Sequence, residues 1–192
     1  MHILHIDTSI HGAQSVSRAI ASAVVGRLIS DHPDAPVVYR DLAAEPIAHL
    51  TLETWSDVDA NDDLREFLAA DVVVIGGGLY NFSIPSQLKS WIDRILIAGQ
   101  TFRYEGGGPV GLAGTKRVII ALAKGGVYSE GSSWAPLDHA EGYLRSVFGF
   151  IGVTDLEIIV AEGLALGEDR RGAALADAIS RAGAVTPGAT GL

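Results

Sequence analysis

The chain has 192 residues, of which 48% are hydrophobic, enough for one domain with a full core. Its net charge of −9 argues against a nucleic-acid partner, which requires a basic surface, and the absence of cysteine excludes disulfides, thiolate catalysis and iron–sulfur ligation. Residues 1–30 show no signal-peptide pattern, and no apolar run approaches the ~18 residues of a membrane span. We therefore expect a soluble cytoplasmic protein without membrane contact.

Five short apolar runs along the chain read as strands. They are HILHI (2–6), PVVYR (36–40), VVVIG (72–76), RVIIALA (117–123) and LEIIVAE (156–162). Runs that are apolar throughout, rather than alternating with polar residues, indicate a sheet covered on both faces and hence parallel strands.

Amphipathic segments with helical spacing lie between these runs. They are residues 15–30, 62–70, 86–98, 137–151 and 169–182. The alternation predicts an α/β fold with a doubly wound five-stranded parallel sheet in three αβα layers, within a single domain of residues 1–192. The last residues, 183–192, have no periodicity and are predicted to form a loose tail. The connection 99–115 is longer than usual for such folds, which suggests a role of its own.

In doubly wound sheets, ligands bind outside the carboxyl ends of the strands, where the winding reverses. With a flavodoxin-like strand order, three loops meet there: residues 8–15, 77–86 and 124–136. The first is rich in hydroxyls, with Ser9, and with Ser15 and Ser17 where the helix begins. Amide groups at a helix start bind anions, so this loop suits a phosphate, although the serines could serve only as helix caps.

The second loop ends a buried strand with three glycines and then Tyr80, Asn81 and Phe82. Glycines let the backbone approach a ligand closely, the aromatic side chains offer flat apolar surface, and the Asn81 amide both donates and accepts. These features suit a flat heteroaromatic ring better than acid–base catalysis. The alternative is a turn whose aromatic side chains only cover the core.

The third loop contains Gly125 and Gly126, whose consecutive N–H groups could face an electron-rich atom, or form a plain turn. Residues 106–111 match G-x-G-x-x-G, but no buried strand precedes them, so we reject a dinucleotide fingerprint. The histidines have no acidic partners at ligand spacing, and we expect no metal site.

Taken together, several motifs resemble the FMN-dependent NADH azoreductases, also described as NADH:quinone oxidoreductases. The motifs are Tyr80-Asn81-Phe82, Phe102-Arg103-Tyr104, Gly125-Gly126, Gly149-Phe150-Ile151-Gly152, DLAAEPI (41–47) and TDLEIIVAEG (154–163). The resemblance runs in order over roughly residues 2–165. It implies a flavodoxin-like homodimer with one non-covalent FMN per subunit near the dimer interface.

The resemblance also implies roles for individual residues. Those implied to hold the FMN phosphate are Ser9, Ser15, Val16 and Ser17; those bordering the isoalloxazine are Leu79, Tyr80, Asn81 and Phe82; and those at its pyrimidine side are Ala123, Lys124, Gly125 and Gly126. Asn81 would affect the reduction chemistry, while Tyr104 and Phe150 would line the substrate pocket, in part from the other subunit. Members often carry Met in place of Leu79 and Ser-Arg in place of Ala123-Lys124, which leaves only backbone contacts at position 123.

By this resemblance, flavin supplies the chemistry, and the protein needs no acid, base or nucleophile of its own. The implied reaction is a two-electron ping-pong transfer from NAD(P)H, with NADH as the expected donor, to quinones or aromatic azo compounds. Three other functions fit the sequence less well. They are a flavodoxin-type one-electron carrier, an NAD(P)H:flavin reductase that supplies reduced flavin to a partner, and a regulatory nucleotide-binding domain.

Overall fold

A computed structural model describes residues 1–186 and contains a five-stranded parallel sheet. Its strands are β1 (Ile3–Asp7), β2 (Val37–Asp41), β3 (Val72–Gly78), β6 (Arg117–Ala123) and β7 (Asp155–Ala161). The order across the sheet is β2-β1-β3-β6-β7, so the winding reverses between β1 and β3. The predicted doubly wound, flavodoxin-like sheet is confirmed, and the strand ends differ from the prediction by at most two residues.

Helices cover both faces of the sheet. The helices are α1 (Val16–Asp31), α2 (Leu52–Ser56), α3 (Asp62–Ala69), α4 (Ser86–Ile95), α5 (His139–Phe150) and α6 (Glu168–Gly183). Helices α1 and α6 pack on one face, while α3, α4 and α5 pack on the other, and each layer encloses its own apolar core. The short helix α2 was not predicted. Residues 187–192 of the predicted tail lie outside the described residues.

The two cores explain why the strands are apolar at every position. In β3, Val73 and Ile75 face one core, whereas Val72 and Val74 face the other. Successive side chains of a strand point to opposite faces, so a strand buried on both faces must be apolar throughout. Phe148 of α5 is fully buried in the core on the side of α3, α4 and α5.

The long connection after α4 folds into a two-stranded antiparallel hairpin that was not predicted. It consists of β4 (Phe102–Glu105) and β5 (Gly108–Gly111), and it lies outside the main sheet. A Cβ at Gly111 would lie 2.1 Å from the backbone nitrogen of Gly152, so only glycine allows the hairpin to pack against the end of α5. Since residues 106–111 belong to this hairpin and open no helix, the rejected dinucleotide fingerprint stays rejected.

Helix α3 begins within the acidic stretch 57–63. Asn61 caps α3 by accepting a hydrogen bond from the Leu64 N–H at 3.0 Å, and Asp62 and Asp63 occupy the first turn. Within the described range, no helix combines the length and hydropathy needed to cross a membrane.

Candidate functional site

The carboxyl ends of β1, β3 and β6 surround a cavity of about 720 Å³. Because these strands are adjacent in the sheet, their three following loops meet at one edge, as predicted. The residues that line the cavity are Ser9, His11, Gln14, Ser15, Val16, Ser17, Gly78, Leu79, Tyr80, Ala123, Gly125, Leu164, Ala165 and Arg171.

The start of α1 gives the cavity an anion-binding corner. Ser15 caps the helix by accepting a hydrogen bond from the Arg18 N–H at 3.3 Å, and its Oγ lies 3.1 Å from Ser17 Oγ. The N–H groups of Val16 and Ser17 have no acceptor among residues 1–186. Two unpaired amides at the positive end of a helix dipole, together with two hydroxyls, form a donor set that matches a phosphate.

A polar cluster behind this corner fixes the first loop. The Arg18 guanidinium donates to both Asp41 carboxylate oxygens at 2.6 and 2.7 Å and to the Ser9 carbonyl at 2.9 Å. The hydrogen bond from Arg18 holds the pKa of Asp41 below its usual value. Buried Asp7 belongs to the same cluster, and a Cβ at Gly76 would clash with Asp7 Oδ1, so a larger residue there would displace this carboxylate. Arg18 is therefore occupied as a support of the loop.

The second loop makes a tight turn with an unusual backbone. Tyr80 and Ser83 exchange two backbone hydrogen bonds at 2.9 and 3.0 Å, while Asn81 and Phe82 have φ angles of 47° and 71°. Left-handed backbone costs a non-glycine residue roughly 1–2 kcal/mol, and such strain is concentrated at functional sites. The turn is held in place because the His139 N–H donates to the Phe82 carbonyl at 2.9 Å.

Tyr80 connects the second loop to the first. Its hydroxyl lies 3.2 Å from Ser9 Oγ and 3.3 Å from the Ile10 nitrogen. Its ring lies over Gly78, where a Cβ would come within 2.9 Å of the ring. Tyr80 therefore presents a fixed aromatic wall to the cavity.

The third loop presents two backbone donors. The N–H groups of Gly125 and Gly126 have no acceptor within the described part of the chain, while their carbonyls accept from Ala165 at 2.9 Å and Gly163 at 2.8 Å. The carbonyls of Lys124 and Gly125 share peptide planes with the N–H groups of Gly125 and Gly126. They accept hydrogen bonds from Leu164 at 3.2 Å and Ala165 at 2.9 Å, which fixes the direction of both glycine amides. A ligand atom with negative charge would find both donors available.

Lys124 differs from Gly125 and Gly126 because its backbone N–H continues the hydrogen bonding between β6 and β7. Its N–H donates to the Ala161 carbonyl at 2.8 Å, and its buried Nζ donates to Asp138 at 2.6 Å and Glu141 at 3.3 Å. Burial alone would raise the pKa of Asp138, but hydrogen bonds from Lys124 and from the start of α5 hold that pKa below its usual value. Lys124 therefore fastens the third loop to α5 and does not line the cavity.

The two aromatic residues expected to line the substrate pocket lie away from the cavity of their own chain. Tyr104 is 72% exposed on β4. Phe150 is partly buried at the end of α5, where its ring centroid lies 4.7 Å from that of Phe102. Their separation from the cavity means that neither completes the site within one subunit.

The structure brings most predicted site residues together. Those that line the cavity are Ser9, Ser15, Val16, Ser17, Leu79, Tyr80, Ala123 and Gly125, whereas Asn81, Phe82, Lys124, Gly126, Tyr104 and Phe150 do not. Sequence reasoning missed Leu164 and Ala165, although the loop after β7 is a further strand end and could have been considered. It also missed Arg171, which carries no recognisable motif, and it did not single out His11 and Gln14 within the predicted loop 8–15. No group of three or more potential metal ligands occurs within residues 1–186.

Comparisons with known proteins agree with this geometry. The Flavodoxin_2 family model, described as flavodoxin-like fold, matches residues 1–185. The chain is 52% identical to the FMN-dependent NADH:quinone oxidoreductase of Methylorubrum populi, over 96% of this chain and 98% of that protein. It is also 52% identical to the protein of the same name from Rhizobium meliloti, over 93% of both chains.

A solved structure supports the same family assignment. The azoreductase from Bacillus anthracis str. Sterne superposes with a TM-score of 0.85 at 32% identity, covering 96% of this chain and 100% of that chain. The resemblance inferred from the sequence motifs is confirmed by relatives that match nearly the whole chain. The chain belongs to the flavodoxin-like family of FMN-dependent NADH:quinone oxidoreductases and azoreductases.

Proposed function

We propose that the chain is an FMN-dependent NADH oxidoreductase that reduces quinones to hydroquinones and cleaves aromatic azo compounds to amines. The observation that carries this proposal is one cavity with unpaired amides at two places. Those of Val16 and Ser17 follow β1, and that of Gly125 follows β6, next to the unpaired amide of Gly126, which does not itself line the cavity. Since β3 separates these strands, the ends of β1 and β6 are about 10 Å apart, and Leu79 and the ring of Tyr80 lie on the loop between them.

This arrangement fits FMN in shape and in donor chemistry. The hydroxyls of Ser9, Ser15 and Ser17 and the two α1 amides would hold the phosphate. Tyr80 and Leu79 would border the ring, and the glycine amides would face its pyrimidine edge. The Lys124 side chain holds this loop against α5 through Asp138 and Glu141.

When bound, FMN supplies the hydride acceptance and donation that no side chain here can provide. The residues of this chain bind and orient. The Gly125 and Gly126 amides would stabilise negative charge at the pyrimidine edge, as an oxyanion hole does. The αL turn would place Asn81 where its amide can donate or accept beside the ring. The aromatic wall of Tyr80 excludes water from one side of the cavity.

We further propose a homodimer. Tyr104 and Phe150 carry aromatic surface that does not reach the cavity of their own chain, so a second copy is needed to bring such residues over it. One shared pocket would then receive NADH first and the flat, electron-poor acceptor second, giving ping-pong kinetics. The relatives bear oxidoreductase names, which favours this function over a one-electron carrier.

The wider setting is proposed on the same basis. The cavity and all its supporting contacts involve one sheet and its two helical layers, which supports a single flavin-binding domain. NADH as the electron donor favours the cytoplasm as the compartment.

The test of the proposed function begins with the ligand. Purified protein should release FMN on denaturation, identified by absorbance and mass, at one FMN per chain. Release of FAD, or failure to bind any flavin after reconstitution, would contradict the proposal. Sedimentation should show a dimer, and a fully active monomer would contradict the shared pocket.

A further inference from the structure

Arg171 is a cation on the wall of the cavity that none of the motifs predicts. It lies in the first turns of α6, partly buried, and its Nη2 donates to the Gln14 carbonyl at 2.9 Å. Gln14 immediately precedes Ser15, the cap of α1. A hydrogen bond between two residues 157 positions apart in the sequence therefore holds the guanidinium beside the anion-binding corner.

The remaining donors of Arg171 are available. A guanidinium has five N–H donors, and within residues 1–186 that of Arg171 makes no other hydrogen bond and no ion pair with a carboxylate. Arg18 is the nearer cation in sequence, but Asp41 and the Ser9 carbonyl occupy it. Among the residues that line the cavity, Arg171 is the one Lys or Arg.

The net negative charge of the chain explains why a phosphate site would need a cation. The chain carries a net charge of −9, which repels a dianionic phosphate, and amides and hydroxyls supply dipoles but no formal charge. A guanidinium presents a planar fork that matches phosphate oxygens and makes charge-assisted hydrogen bonds.

We propose that Arg171 contacts the phosphate of the bound flavin and makes the cavity select the phosphorylated cofactor over riboflavin. This inference rests on the proposed function and adds to it a specificity-determining residue contributed by α6. The Gln14 carbonyl positions the guanidinium, and the phosphate takes the donors that remain.

The experiment compares FMN and riboflavin binding to apoprotein by quenching of flavin fluorescence, for wild type and Arg171→Gln. The substitution should weaken FMN binding about ten- to hundred-fold, the usual range for a lost charged hydrogen bond, while leaving riboflavin binding near the wild-type value. Rising salt should weaken FMN binding more in wild type than in the variant. Arg27→Gln is the matched control, because Arg27 pairs with Asp31 at the far end of α1, and it should change neither ligand.

Three results would overturn the proposal. Equal losses for FMN and riboflavin would make Arg171 a structural clamp on Gln14. Unchanged FMN binding together with an unchanged KM for NADH would leave Arg171 without a ligand. An unchanged FMN dissociation constant with a raised KM for NADH, in protein saturated with FMN, would assign the guanidinium to the phosphates of the dinucleotide. Failure of the wild-type protein to bind FMN at all would instead contradict the proposed function, which keeps the two tests separate.

Discussion

The double substitution Ser15→Ala with Ser17→Ala separates helix capping from cofactor binding. In the apoprotein it removes the cap, in which Ser15 Oγ accepts the Arg18 N–H at 3.3 Å. Loss of an N-cap costs roughly 1 kcal/mol of stability. If both hydroxyls also donate to a phosphate, two hydrogen bonds to a charged group are lost, each of about 1.5–3 kcal/mol. FMN affinity should then fall by about 10²- to 10⁴-fold, far more than the change in stability implies.

Two assays measure these effects independently. Urea unfolding of the apoprotein gives the stability change, and fluorescence titration gives the FMN dissociation constant. Thr51→Ala is the control, since Thr51 caps α2 by accepting the Thr54 N–H at 3.2 Å and is absent from the cavity lining. It should lower stability without affecting FMN. A double serine variant that loses stability and keeps its FMN dissociation constant would show that these serines are caps only.

Three further predictions follow from the loops and from α5. Asn81→Gly permits the positive φ of 47° without a side-chain penalty, so the melting temperature of the apoprotein should stay the same or rise. Turnover with NADH and a quinone should fall, and turnover equal to that of the wild type would show that the Asn81 side chain has no part in the reaction. Lys124→Met leaves Asp138 without its cation, whereas Glu141 keeps its pair with Arg145, and the change should cost about 3 kcal/mol in urea unfolding at neutral pH. The loss should be smaller in acid, where Asp138 becomes protonated, and equal losses at the two pH values would refute the ion-pair role. Burial raises the pKa of Tyr143 from 10.0 to about 12. Between those pH values the unfolded chain releases a proton that the folded chain keeps, so the free energy of unfolding falls as the pH rises. Tyr143→Phe should show a shallower decline over this range, and a decline identical to that of the wild type would contradict the prediction.

The sheet could be predicted from sequence because its strands are buried on both faces. Apolar, β-branched runs such as 72–76 carry that information locally, and parallel winding then brings the three loops together without any knowledge of side-chain contacts. The serines and glycines of those loops were therefore predicted at the correct end of the strands. The hairpin at 102–111 was missed because its glycines and proline have no alternating pattern.

The remaining site features depend on tertiary contacts that sequence patterns do not record. A positive φ at Phe82 contradicts the preference of a bulky residue and exists because its carbonyl is fastened to α5. The Lys124 side chain lies outside the cavity lining and is held by hydrogen bonds to carboxylates 14 and 17 positions further along the chain. Arg171 reaches the cavity because α6 packs beside α1, a contact that no local motif encodes.

Anaerobic titration of the FMN-loaded protein with NADH, followed by a benzoquinone, tests the central claim most directly. The account predicts that one NADH per chain bleaches the flavin absorbance and that one equivalent of quinone restores it, because one cavity serves donor and acceptor in turn. Flavin that stays oxidised in the presence of NADH, or reduced flavin that a quinone fails to reoxidise, would contradict the account.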